Sequence, residues 1–184
     1  MIRALLWILS GLLLGGIVHL STVLAMPQAA TQDAYSRLLP LTPVNTMVPL
    51  AAPTVETMIM PFMDPAFATA VCRYDLTNGS IKLIAPVSQA YTSVTFYTRK
   101  SVAYYAINDR AAGRRTIELD LMTPEQHADM PEEEDVTAAD RLIIESPSTV
   151  GLIVLRALAP EPGLMPMARR ALAAAKCQLQ PVGQ

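Results

Sequence analysis

The chain has 184 residues, 52% of them hydrophobic and 16% charged, with a formal net charge of −2. That length holds one globular domain with an appended segment, and the slightly acidic balance excludes an electrostatic nucleic-acid binder. So high an apolar share in a chain with a folded domain asks for a local cause.

The cause lies at the start. After a tip of residues 1–3, the stretch Ala4–Met26 has no Lys, Arg, Asp or Glu, and His19 is its one ionisable side chain. As a helix it would run about 34 Å, enough to cross a hydrocarbon core of about 30 Å. The rival reading is a cleaved secretory signal ending at Val23-Leu24-Ala25. Its apolar run is longer than the ~7–15 residues usual for such a signal. Either reading exports the remainder of the chain. Arg3 precedes the span and the next basic residue is Arg37, so the positive-inside bias leaves the N-terminus in the cytoplasm. The expectation is a single-pass protein of a bacterial inner membrane, embedded in lipid through residues 4–26, with a periplasmic C-terminal domain.

Trp7, Gly11, Gly15 and His19 recur every four residues and share one helix face. Gly11 and Gly15 make the small-xxx-small pattern that lets two helices approach, with His19 able to hydrogen-bond across a homodimer contact. The plainer alternative is an ordinary anchor.

Residues 27–63 carry Pro27, Pro40, Pro43, Pro49, Pro53 and Pro61, which remove backbone donors and block helix. We expect an extended stalk, part of it lying on the domain or at the lipid surface. The domain itself is expected over 64–177. Asp64-Pro65 predicts a short helix through Val71. Strands come next at Arg73–Leu76 and Ile81–Pro86, and Asn78-Gly79 between them predicts a tight hairpin. Tyr91–Thr98 and Val102–Asn108 read as strands separated by Arg99-Lys100-Ser101. In Ile117–Leu121 the apolar residues alternate with Glu118 and Asp120, a strand with one wet face. Thr123-Pro124-Glu125-Gln126 opens a capped short helix ended by Pro131, and Glu132–Asp135 is an acidic loop. Leu142–Glu145 and Val150–Leu158 make two more strands. Gly163–Lys176 predicts an amphipathic helix, and residues 178–184 a tail. The fold class is α+β: a transmembrane helix, then a small, mainly antiparallel sheet domain closed by a C-terminal helix.

The order Asp75-Leu76, Gly79, Ile81-Lys82-Leu83-Ile84-Ala85-Pro86 and Tyr91-Thr92-Ser93-Val94-Thr95-Phe96-Tyr97 resembles the bacterial family called domain of unknown function 1254. The run Ser146–Arg156 is similar to its closing strand, and the likeness covers about Phe62 to Cys177. The match is to the short, membrane-anchored form. Longer members carry a fused domain of unknown function 1214, so the resemblance implies a separate partner subunit of that second family.

Chemistry-bearing residues are sparse. Cys72 and Cys177 are the two cysteines, and export leaves them free to form a disulfide or to stay as buried thiols. Tyr91, Tyr97, Tyr104 and Tyr105, with Asn108, Asp109 and Arg110, form either a binding surface on one sheet face or cross-strand packing pairs. Asp109, Arg110 and His127 are the residues an exported enzyme of unrecognised mechanism would use, and Cys72 with His127 the one conceivable nucleophile–base pair. No G-x-S-x-G, phosphate-cradling glycine loop or set of metal ligands at workable spacing occurs, so neither cofactor nor metal is expected. The leading expectation is a non-enzymatic binding or interaction module acting with a partner subunit.

Overall fold

The computed structural model describes residues 2–29, 33–54, 58–61, 63–112, 115–130 and 142–181. They fall into two compact units, Met1–Asp33 and Ala34–Gln184. The first is helix α1 (Ile2–Ala29). Its stretch Ile2–Met26 has a mean hydropathy of 2.0 and buries nothing, and is long and apolar enough to cross a membrane.

The second unit contains, among the described residues, nine strands in two sheets. One has the order β1 (Met47–Pro49), β2 (Phe67–Asp75), β8 (Val150–Leu158), β4 (Thr92–Thr98), β5 (Ala103–Asn108). The other has β7 (Leu142–Glu145), β6 (Thr116–Met122), β3 (Gly79–Pro86), β9 (Lys176–Pro181). All pairings are antiparallel except β6 with β7. Short helices α2 (Ala34–Leu38), α3 (Asp109–Ala112), α4 (Pro124–Ala128) and α5 (Met165–Ala173) complete an α+β domain.

Strand periodicity explains the core. Ile81, Leu83 and Ala85 of β3 and Val94 and Phe96 of β4 alternate with half-buried residues, and all five join one buried cluster. Ile153 and Leu155 of β8 and Ile117, Leu119 and Leu121 of β6 complete it, so the two sheets share a core between their inner faces. Helix α5 adds Ala168 and Leu172 while touching β1, β2 and β8 of one sheet and β3 of the other. Cys72 on β2 and Cys177 on β9 are disulfide-bonded, which ties the sheets together covalently.

Strand β8 is also buried on its second face. Leu152, Val154 and Val71 form a separate cluster with Tyr35 and Leu38 of α2, and Leu50, Ile59 and Met60 pack on it. The described residues between 34 and 61 therefore lie on the domain, as the sequence reading allows for part of the stalk. Their scattered apolar side chains cap the first sheet's outer face, with α2 and the three-residue β1 as the regular elements. Tyr35 is held between two cations, the Arg99 guanidinium 4.1 Å and that of Arg73 5.9 Å from its ring centre.

Four expectations are corrected. Asp64-Pro65 opens no helix: Phe67–Asp75 is β2, whose pattern Ala68, Ala70, Cys72, Tyr74 faces the core with period two. Asn78-Gly79 makes no hairpin, because β2 and β3 belong to different sheets. Gly79 alone takes positive φ there, 148°, and the turn carries the chain across the core. Asp120 is 5% exposed rather than wet, lying between Lys82 of β3 and Ile143 of β7. Residues up to Pro181 form β9 rather than a tail, paired along β3. The Arg99-Lys100-Ser101 break is a tight turn with Ser101 at φ 60°, closed by the Thr98 N–H donating to the Val102 carbonyl. The capped helix is present as α4. Its Thr123 hydroxyl accepts from the Gln126 N–H, and the Gln126 side chain accepts from the Thr123 N–H. The acidic loop Glu132–Asp135 lies outside the described residues.

Candidate functional site

A concavity lies on the outer face of the first sheet, between its strands and the described residues of the segment before β2. On β8, Leu152, Val154 and Arg156 point outward while Ile153, Leu155 and Ala157 point to the core. Beside them lie Phe67 and Thr69 of β2 and Tyr97 of β4, with Thr69 opposite Arg156 in register. Ala34 and Leu38 of α2 and the segment with Met60, Met63 and Asp64 rise around this floor. The cover is incomplete, and a cavity of about 300 Å³ remains. That is the lower end of the range for small-molecule sites.

Its chemistry is mainly aliphatic and aromatic, with two full charges. Arg156 is exposed on an otherwise buried stretch of β8. Asp64 is exposed at the entry to β2, and its carboxylate accepts from the Ala66 N–H at 2.9 Å. The two line one cavity without an ion pair between them. Sequence reasoning missed this site. Arg156 was visible as the one charge in an apolar strand, but the apolar residues of the roof carry no periodic signal.

The residues singled out in the sequence are dispersed. Asp109, at the start of α3, accepts from the Thr92 N–H at 3.2 Å and lies at the end of the domain where β6 begins. Arg110 and Asn108 are beside it; the Asn108 side chain accepts from the Ala111 N–H. His127 comes after the other end of β6, where its Nδ1 lies 2.8 Å from Glu145 Oε1 and Gln126 reaches the Leu76 carbonyl. Seven residues of strand separate the two groups by about 20 Å. They do not converge. Cys72 is bonded to Cys177 and fully buried, so it forms no nucleophile–base pair with His127.

The tyrosines divide as well. Tyr91 is 40% exposed at the Asp109 end, and Tyr97 lines the cavity. A β-bulge after Phe96 changes the register with β5, and Tyr104 and Tyr105 both approach the buried Phe96 ring, with centroids 6.2 and 6.0 Å away. Simple alternation, which sends neighbours to opposite faces, fails there for that reason. The Tyr104 hydroxyl lies 3.2 Å from that of Tyr74, which is 3.0 Å from Ser146 Oγ, and Ser146 donates to the Ser148 carbonyl. Burial pushes the Tyr104 phenol well above its ordinary range, against a smaller opposing effect of Ser146. This row of neutral hydroxyls satisfies polar atoms at the core's edge and holds β7, β2 and β5 together.

Along α1, Trp7 is 80% exposed, and a methyl added at Gly11 or Gly15 would meet nothing within 4 Å. No group of three or more His, Cys, Asp or Glu side chains able to hold a metal occurs among the described residues.

No family model matches the chain, and no curated protein does. Solved structures do. The VPA0106 protein from Vibrio parahaemolyticus superposes with a TM-score of 0.59 at 10% identity, over 82% of this chain and 36% of its own. A putative uncharacterized protein from Burkholderia cenocepacia gives 0.51 at 12% identity, over 82% and 38%. The likeness is one of fold, and the chain spans little more than a third of either protein's length.

Proposed function

We propose that this is a membrane-anchored binding module of the bacterial envelope, which takes a small apolar ligand into the cavity on the outer face of the first sheet. One observation carries the reading: an apolar cavity of about 300 Å³ with two charged side chains on its lining, between the sheet, α2 and the chain leading into β2. Helix α1 anchors the module in the inner membrane, the N-terminus stays in the cytoplasm and the domain faces the periplasm, where the Cys72–Cys177 bond can persist. Membership of the short form of the domain of unknown function 1254 family is part of the proposal. The test is ligand-induced stabilisation of the full chain in lipid nanodiscs, screened against small apolar molecules. Binding compounds should raise the melting temperature of the natural protein by several degrees and leave Ala34→Trp, whose indole fills the cavity from α2, unmoved. A panel with no stabilising compound would remove the reading.

A second reading, contact with a separate subunit of the domain of unknown function 1214 family, is favoured by β5. Among the described residues its outer edge pairs with no strand, and Tyr105 within it and Val102 just before it are 36% and 60% exposed. Such an edge accepts an added strand. Affinity recovery of the detergent-solubilised chain should bring down that subunit, and Ala106→Pro in β5 should release it. Repeated recovery of the chain alone would end this reading.

A further inference from the structure

The charges on the cavity lining point to a ligand class. Arg156 stands on the floor, at the end of the outward row Leu152, Val154, Arg156. Asp64 stands on the covering segment, on the chain leading into β2. Both side chains are exposed and no ion pair joins them, so each charge is open to a group entering the cavity. An anionic ligand would satisfy Arg156 and face Asp64 unfavourably, and a cationic one would do the reverse. A neutral apolar molecule would use neither charge. A head that carries both signs satisfies both groups, while Leu38, Met60, Met63 and Val154 receive an apolar body.

We propose that the cavity binds a small zwitterion with an apolar side chain, an apolar α-amino acid being the simplest member. Its carboxylate lies on Arg156, which can hold it through two parallel N–H donors, and its ammonium lies on Asp64. The cavity's volume suits a molecule of that size and not a lipid with two acyl chains. The inference rests on the proposed ligand-binding function and adds the identity of the head.

Four probes of one shape separate the two levels: L-phenylalanine, 3-phenylpropanoate, phenethylamine and propylbenzene. Each is titrated by calorimetry into the full chain in nanodiscs. Phenylalanine should bind at least tenfold more tightly than either singly charged probe. Arg156→Gln should bring its affinity down to that of phenethylamine, and Asp64→Asn to that of 3-phenylpropanoate. Both side chains are exposed, and Asn keeps a carbonyl oxygen for the Ala66 N–H, so the variants should melt as the natural protein does. Propylbenzene binding as tightly as phenylalanine would overturn the zwitterion and leave the apolar cavity standing. Binding of none of the four would overturn both. Displacement of phenylalanine by lysophosphatidylethanolamine added to the nanodiscs at equal concentration would reassign the site to a lipid headgroup and overturn the proposal.

Discussion

The bond between Cys72 and Cys177 closes a loop of 105 residues and joins the two sheets. Cross-linking so long a loop removes conformational freedom from the unfolded chain, and the chain-entropy relation gives about 4.7 kcal/mol at 25 °C. Unfolding a domain of about 150 residues releases roughly 0.3 kcal/mol/K of entropy near its midpoint, so losing the link should lower the melting temperature by roughly 15 °C. The comparison that isolates the link is the natural chain in nanodiscs, melted by circular dichroism with and without a phosphine reductant. The side chains are then the same in both arms. Cys72 is fully buried and Cys177 4% exposed, so reduction should require the domain to open and should proceed slowly below the transition. A Cys72→Ala, Cys177→Ala variant should melt at one temperature whether or not reductant is present. A difference under about 4 °C for the natural chain would refute the reasoning, since it would mean that the unfolded state gains little freedom when the loop opens.

Gly151 faces Tyr74, and a methyl group there would collide with the Tyr74 hydroxyl and the Tyr97 carbonyl oxygen. Gly151→Ala should therefore cost about 3 kcal/mol, measured by urea unfolding, and an unchanged midpoint would contradict that packing. The Asp75 carboxyl is held below its ordinary pKa by the Thr77 hydroxyl and then the Thr77 N–H. Its folded-state pKa being depressed, its contribution is present above the unfolded value near 3.8 and lost as pH falls through the lower folded value. The urea midpoint of the natural chain should thus fall more between pH 5 and pH 2 than that of Asp75→Asn, and parallel curves would contradict this. If the face with Trp7, Gly11, Gly15 and His19 pairs two copies, Gly15→Leu should shift a crosslinked dimer of the full chain in nanodiscs to monomer. A crosslinking pattern unaltered by the leucine would dismiss the pairing.

The helical span was legible because it needs no tertiary partner: a run of apolar residues without charge is defined by composition. Strands β3, β4, β6, β7 and β8 were legible for a related reason. In β3 and β4 a period-two pattern records one buried face, as in Ile81, Leu83 and Ala85, while β8, apolar on both faces, starts and ends where the sequence places it. The Thr123 cap is local chemistry and could be read residue by residue. Which strand pairs with which was decided by the tertiary structure alone. Asn78-Gly79 specifies a sharp turn but not whether the turn closes a hairpin or crosses a core. Likewise the prolines between residues 34 and 61 interrupt regular structure without saying what their apolar neighbours cover. The cavity lies where that cover leaves the sheet's outer face open, and its two charges, Arg156 and Asp64, come from segments about ninety residues apart. Local sequence fixes backbone conformation and the burial of a face. The partner of that face is set by long-range packing, in which every apolar surface competes for the same few others.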